Sequence, residues 1–194
     1  MKSKEDSILE LFFENPTREL HFEDILKETD IARSKADRWL KLFIKEGIIK
    51  RIKEKKKMPY YISDYNSPSY KNRKKLFALN KFYKSGLLNH LISLNKTKAV
   101  ILFGSYSRGD WYKNSDIDIF IYGNPEGLKI MEYELKLHKE IQVFICHNKD
   151  ELNKFGAGFI RNIIKGELLK GDLDFIEVGL NAWILDTKRS IFEM

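Results

Sequence analysis

The chain has 194 residues, 43% hydrophobic and 32% charged, with a formal net charge of +7 and one cysteine, Cys146. This composition excludes a disordered chain and an intramolecular disulfide, and no apolar run approaches the ~18 residues of a membrane-spanning helix. With no secretory signal pattern, the expected setting is the reducing cytoplasm. The charge is uneven. Residues 1–63 carry 15 Lys/Arg against 12 Asp/Glu, residues 64–97 carry 7 against 1, and residues 98–194 carry 13 against 15. A nucleic-acid partner is therefore to be sought on the N-terminal half.

The chain opens with a helical pattern, Ile8, Leu9, Leu11, Phe12 and Phe13, which must stop before Asn15-Pro16 because proline disfavours helix in the residue before it. A short helix is expected over Glu23 to Glu28, then a turn at Thr29-Asp30-Ile31. A third helix follows over Arg33 to Glu46, with Ala36, Trp39, Leu40, Phe43 and Ile44 as its apolar stripe. Gly47 is a natural C-terminal stop. Ile48 to Lys53 and Pro59 to Ile62 read as the two strands of a hairpin whose tip is Glu54 to Met58. Between Ile31 and Lys57 there are 11 basic residues against 3 acidic ones.

Three helices followed by a hairpin resemble a winged helix-turn-helix domain. The resemblance implies that the third helix enters the major groove of duplex DNA, with Arg33, Ser34, Lys35 and Arg38 as base or phosphate contacts. The tip, Lys55, Lys56 and Lys57, would meet phosphates or the minor groove. Against this stands the docking of such domains on proteins, and the frequency with which lysine runs are simply solvated.

Asn66-Ser67-Pro68-Ser69 marks a boundary. Tyr70 to Leu94 then reads as helix, with Leu76, Leu79, Phe82 or Tyr83, Leu87 and Leu91 as its inner stripe. Its basic start, Lys71, Arg73, Lys74 and Lys75, is expected as a solvated helix end. Gly86 is placed to kink or divide it, at about 1 kcal/mol relative to alanine.

The stretch from Val100 to Gly123 carries the chemistry. Val100 to Phe103 is apolar throughout, as in a buried strand. Gly104 and Ser105 break it, and a polar, helix-like corner follows. Asp116 and Asp118 then flank Ile117 at the start of a second apolar run, Ile117 to Tyr122. Residues two apart on a strand share a face, so the two carboxylates project together, about 7 Å apart along the chain. Mg²⁺ answers their repulsion, because it is held by one or two carboxylates plus substrate phosphates. Gly104 allows a phosphate close to the backbone, Ser105 offers a hydroxyl and Arg108 a charged fork. Such a cradle facing a metal pair is equipment for nucleotidyl or phosphoryl transfer.

Gly104, Ser105, Arg108, Gly109, Ser115, Asp116 and Asp118, as G-S-x-x-R-G followed by S-D-x-D, resemble the DNA polymerase β-like nucleotidyltransferase superfamily, in particular its minimal type. The resemblance implies NMP transfer from an NTP, with ATP the expected donor, to a hydroxyl acceptor. It implies Mg²⁺ on Asp116 and Asp118, phosphate binding by Gly104, Ser105 and Arg108, and a HEPN-type toxin as the partner protein and acceptor. A helix is expected over Gly127 to Leu137, with Ile130, Met131, Leu135 and Leu128 facing inward, and then a strand over Glu140 to Ile145. In the superfamily that strand supplies a third carboxylate. Here Gln142 takes the position, and Glu140 reaches it only through a register shift. Glutamine ligates weakly and is no general base.

A short helix over Asp150 to Phe155, a helix around Phe159 to Ile164 and a short terminal strand and turn over Glu167 to Asp172 follow, with Trp183 and Phe192 as packing residues beyond. His21, His90, His138 and His147 have no metal-ligand spacing. No serine, cysteine or lysine nucleophile constellation is evident, nor any internal repeat. The expected fold class is α/β, a small mixed-sheet nucleotidyltransferase fold with helices packed to one side. The expected division is a winged helix-turn-helix over residues 1–64, a helical connector over 65–97 and the nucleotidyltransferase domain over 98–194. The alternative is a DNA-binding regulator or antitoxin with a catalytically degenerate, nucleotide-sensing domain. A homodimer is among the expected assemblies.

Overall fold

A computed structural model describes residues 3–176. Helix α1 spans Lys4–Glu14, and the Ser3 hydroxyl caps it by accepting from the Asp6 N–H at 3.0 Å. Glu5 and Asp6 in its first turn suit the positive end of the helix dipole. Strand β1 (Leu20–His21) leads into α2 (Phe22–Thr29) and α3 (Arg33–Lys45). Strands β2 (Ile49–Ile52) and β3 (Tyr60–Ser63) form the expected hairpin. The sheet order is β1-β3-β2, with both pairings antiparallel. The sequence pattern gives no sign of β1. It is held to the hairpin by Leu20 opposite Tyr61, and Leu20 is fully buried.

The helical connector divides where expected, into α4 (Pro68–Ser85) and α5 (Leu87–Ser93), with Gly86 left-handed at φ 88° between them. The buried face of α4 is rotated from the expected one. Tyr70, Lys74, Phe77, Ala78 and Phe82 are buried, whereas Leu76 and Tyr83 are each 61% exposed. Both sets repeat at helical spacing, so periodicity alone does not choose between them. What chooses is the aromatic group opposite: Phe13 of α1 packs edge-on to Tyr70 and Phe77, each at 5.3 Å between ring centres. Lys74 is drawn in with them and is 1% exposed, not the solvated helix end expected.

The second sheet is built from β4 (Thr97–Phe103), β5 (Ile117–Gly123), β6 (Ile141–Cys146) and β7 (Glu167–Lys170), in the order β6-β5-β4-β7. β5 runs antiparallel to β4 and parallel to β6. Between them lie α6 (Gly104–Arg108), α7 (Ile130–Leu137), α8 (Lys149–Leu152) and α9 (Ala157–Ile164). Alternation sorts the strands onto two faces. Val100, Leu102, Ile117, Ile119 and Ile121 join the core with α4, α5 and α7. Ala99, Ile101, Phe103, Phe120 and Tyr122 meet Leu152, Phe159 and Ile163 from α8 and α9. The sheet is thus covered on both faces rather than on one. The α7 expectation is also corrected: Tyr133 and Leu137 are buried, while Met131 and Leu135 are 75% and 71% exposed.

The mixed α/β architecture with small sheets is as expected. One contiguous core runs from Ile8 of α1 through α4 to Ile141 of β6. Trp111, between α6 and β5, is where its parts meet. It stacks on Tyr106 of α6 at 5.1 Å and meets Phe13 and Phe77 at 6.2 and 6.3 Å. The Lys113 N–H donates to the Glu14 carbonyl at 3.0 Å, tying the same loop to the end of α1. Trp183 and Phe192 lie outside the described residues.

Candidate active site

Strand β4 ends at Phe103, whose register partner is Asp118 on β5. The chain turns at Gly104, with φ 70°, directly into the five-residue α6. The Asp118 carboxylate lies over this turn. A Cβ on residue 104 would stand 2.0 Å from Asp118 Oδ2, so no other residue fits while Asp118 keeps its place. Ser107 closes the corner by donating its hydroxyl to the Gly104 carbonyl at 3.0 Å. Gly109 ends α6 in the left-handed region, and a Cβ there would meet the Lys71 carbonyl of α4 at 2.5 Å. The two glycines of the motif thus serve two close approaches, one to a carboxylate and one to a helix backbone.

The loop from Gly109 to Ser115 delivers the first carboxylate. The Tyr112 N–H donates to Ser115 Oγ at 2.9 Å, and the Ser115 N–H donates to the Tyr112 carbonyl at 3.0 Å. This tight turn sets Asp116 just before β5, and Ile117 opens the pairing with β6 by donating to the Glu140 carbonyl at 2.9 Å. Asp116 and Asp118 are both half-buried. Burial, and after it the charge of Asp116, raise the Asp118 pKa, while Arg108 opposes the rise. The pair thus repels as expected, and a cation would relieve both causes.

The β5–β6 register is unbroken from Ile117 opposite Ile141 to Tyr122 opposite Cys146, and it sets Gln142 beside Asp118. Glu140 precedes β6 and is exposed, and no register shift moves it into the Gln142 position. Gln142 Nε2 donates to Asp116 Oδ2 at 2.9 Å, a contact the sequence did not suggest. Arg108 lies in the same region but is engaged. Its Nε donates to Asp110 Oδ2 at 2.9 Å, and its Nη1 reaches Asn162 Oδ1 on α9 at 3.4 Å. Ser105 is half-buried at the corner. Among the described residues, no group of three or more His, Cys, Asp and Glu side chains is disposed to hold a metal ion. Two carboxylates fit Mg²⁺, which keeps waters or takes phosphate oxygens for its remaining positions.

The residues read as nucleic-acid contacts lie on other elements than this pair, on α3 and at the β2–β3 tip. Arg33 is occupied: its Nη2 donates to both oxygens of Glu23 at 2.8 and 2.9 Å, and its guanidinium lies over Phe22. Ser34, Lys35 and Arg38 are exposed, with Arg38 over the Trp39 ring at 5.5 Å. Lys55, Lys56 and Lys57 are exposed at the tip, and Lys57 pairs with Glu54 at 2.5 Å. His21 and His90 have structural partners, the Pro59 carbonyl and the Tyr133 hydroxyl. Among the described residues, no helix is long and apolar enough to cross a membrane.

A strand, a glycine corner and a carboxylate pair at the start of the neighbouring strand, Asp116 just before it and Asp118 within it, are thus brought together. Residues 84–170 match the family described as "Nucleotidyltransferase domain". The chain is 36% identical over 74 residues to the Methanocaldococcus jannaschii protein named "Putative protein adenylyltransferase MJ0604", covering 36% of this chain and 74% of that protein. It is 46% identical over 41 residues to "Putative protein adenylyltransferase MJ1215" of the same organism, covering 20% of this chain and 48% of that protein. The chain belongs to the nucleotidyltransferase family. Among solved structures, it is similar to a toxin-antitoxin crystal structure with AMP-PNP (21% identity, 59% of this chain and 94% of that chain, TM-score 0.36). It is also similar to a mutant of the toxin-antitoxin MntA-HpeT (15% identity, 61% and 95%, TM-score 0.35).

Proposed function

We propose that this nucleotidyltransferase transfers AMP from ATP to a hydroxyl group of a partner protein in the cytoplasm, with Mg²⁺ as its cation. The observation that carries the proposal is the packing of Asp118 over Gly104, with Asp116 two residues before it in the loop that leads into the same strand. In the transfer, the acceptor oxygen forms a bond to the α-phosphorus, the α–β bridging bond breaks, pyrophosphate leaves and the hydroxyl proton passes to solvent. Asp116 and Asp118 would hold the cation, which neutralises phosphate charge as the bridging bond breaks. Ser105 and the first N–H groups of α6 would meet phosphate oxygens, and Arg108 would join them by leaving Asp110. The relatives' adenylyltransferase names support AMP as the group moved. A HEPN-type toxin is the acceptor implied by the minimal-type motif.

The division into residues 1–64, 65–97 and 98–194 belongs to this proposal. In it, the first unit is a winged helix-turn-helix domain that contacts duplex DNA through Arg33, Ser34, Lys35, Arg38, Lys55, Lys56 and Lys57. The β1-β3-β2 sheet beside three helices supports it. A second reading is favoured by Gln142: a regulator whose nucleotidyltransferase domain binds nucleotide and turns over slowly or not at all. ATP labelled at the α- or the γ-phosphate separates the readings when incubated with the protein and an extract of its native host. The proposal expects α-label on protein, no γ-label, and loss of the α-label with Asp116→Asn/Asp118→Asn. Bound nucleotide without transferred label would favour the second reading.

A further inference from the structure

Gln142 stands where the superfamily resemblance places a third carboxylate, and the structure gives it a definite partner. Its Nε2 lies 2.9 Å from Asp116 Oδ2. An ionised carboxylate only accepts hydrogen bonds, so this contact fixes which end of the amide faces Asp116. The donor comes from a strand: Gln142 is the second residue of β6, opposite Asp118 in an unbroken parallel register. Asp116, by contrast, sits in a loop and is not itself part of the sheet. The hydrogen bond therefore runs from a strand side chain to a carboxylate outside the sheet.

We propose that Gln142 is a positioning residue for Asp116: it orients the first carboxylate of the pair for the divalent cation, and it does so as a neutral donor where a third acid would add charge. The proposal rests on the nucleotidyltransferase reading of the site. Its physical basis is preorganisation. A half-buried carboxylate in a loop has several rotamers, and a hydrogen bond from a fixed strand selects one before the cation arrives. A carboxylate at position 142 would face Asp116 as another acceptor and would repel it until the cation bound. Gln142 gives up that ligand and that base, and keeps the two-carboxylate site ordered without a cation.

Mn²⁺ binding tests this without turnover. The full chain is titrated with Mn²⁺ in the presence of a non-hydrolysable ATP analogue, and free Mn²⁺, read by electron paramagnetic resonance, is compared with a protein-free titration of the same analogue, which itself chelates the ion. Gln142→Met keeps the length and packing of the side chain but cannot donate, and Gln142→Ala serves should the thioether disturb the strand. The proposal expects Mn²⁺ affinity to fall about 10-fold or more in both variants, the scale seen for groups that orient metal ligands. The melting temperature of the metal-free protein should stay near wild type, because a purely structural role would move that and leave affinity alone. Mn²⁺ affinity within twofold of wild type in either folded variant would overturn the positioning role while leaving the site itself standing. Absence of Mn²⁺ binding in the wild type would overturn the nucleotidyltransferase site and the positioning role together.

Discussion

Lys74 should make the stability of this protein rise with pH, and replacing it with methionine should abolish that contribution. Its ammonium is buried among the rings of Trp111, Tyr70 and Phe13, at 4.6, 5.2 and 5.9 Å from their centres. Burial lowers its pKa from the ordinary 10.5 to about 8, while the charges of Asp110 and Glu14 oppose the change. A lysine with a depressed folded pKa costs stability while the unfolded chain holds a proton that the folded chain resists. That cost is full below about pH 8 and is relieved as pH rises towards 10.5. At 1.36 kcal/mol per pKa unit, the cost near pH 7 is about 3 kcal/mol, falling to about 1.5 kcal/mol at pH 9.5. The rings return about 2 kcal/mol of attraction to a desolvated cation, less than the several kcal/mol of lost hydration.

Lys74→Met is one atom shorter, keeps an unbranched apolar side chain and removes the charge. Urea unfolding of both proteins at the two pH values supplies the comparison, and the shared titrations of other groups cancel in the difference. The stability of Lys74→Met relative to wild type should fall by about 1.5–2 kcal/mol between pH 7 and pH 9.5, because only the wild type is relieved. Parallel stability curves for the two proteins would refute the burial argument and would mean that the aromatic cage fully compensates the ammonium.

Gly104→Ala should fold with a loss of about 1–3 kcal/mol from its left-handed backbone, and should lose cation-dependent nucleotide binding because its Cβ displaces Asp118. Unchanged binding in a titration with ATP and Mg²⁺ would show that Asp118 does not need this turn. Replacing Lys55, Lys56 and Lys57 together with glutamate should weaken duplex DNA binding and lower its salt slope by about 2–3, near 0.9 for each phosphate no longer neutralised. A gel-shift titration with unchanged affinity and slope would remove the hairpin tip from the DNA interface.

The strands were readable because their signals are local. Val100 to Phe103 and Ile119 to Tyr122 are apolar runs buried on both faces, and β4 and β5 contain them. Gly86 likewise divided a helix because a left-handed backbone breaks it wherever it falls. The helix faces were less readable. In α7, the pattern that nominated Met131 and Leu135 rotates to bury Tyr133 and Leu137 instead. In α4, the buried set includes a lysine, which no hydropathy pattern would place in a core. β1 is two residues long and exists only through its pairing with β3. At the site, the motif residues were legible by spacing, and the departure at Gln142 was visible. Its contact with Asp116 was not, because it depends on the β5–β6 register and on a loop conformation rather than on sequence distance.

Whether Asp116 and Asp118 hold a cation–nucleotide complex against the Gly104 corner is decided by a thermal-shift titration. Each of the four NTPs is added with and without Mg²⁺, to the wild type and to Asp116→Asn/Asp118→Asn. A ligand at 100 times its Kd stabilises the folded state by about 2.7 kcal/mol, roughly 5–10 °C for a chain of this size. That shift is expected with ATP and Mg²⁺ together, and none in the double variant. Equal shifts with and without Mg²⁺, or a shift that survives in the double variant, would contradict a cation–nucleotide site at this carboxylate pair.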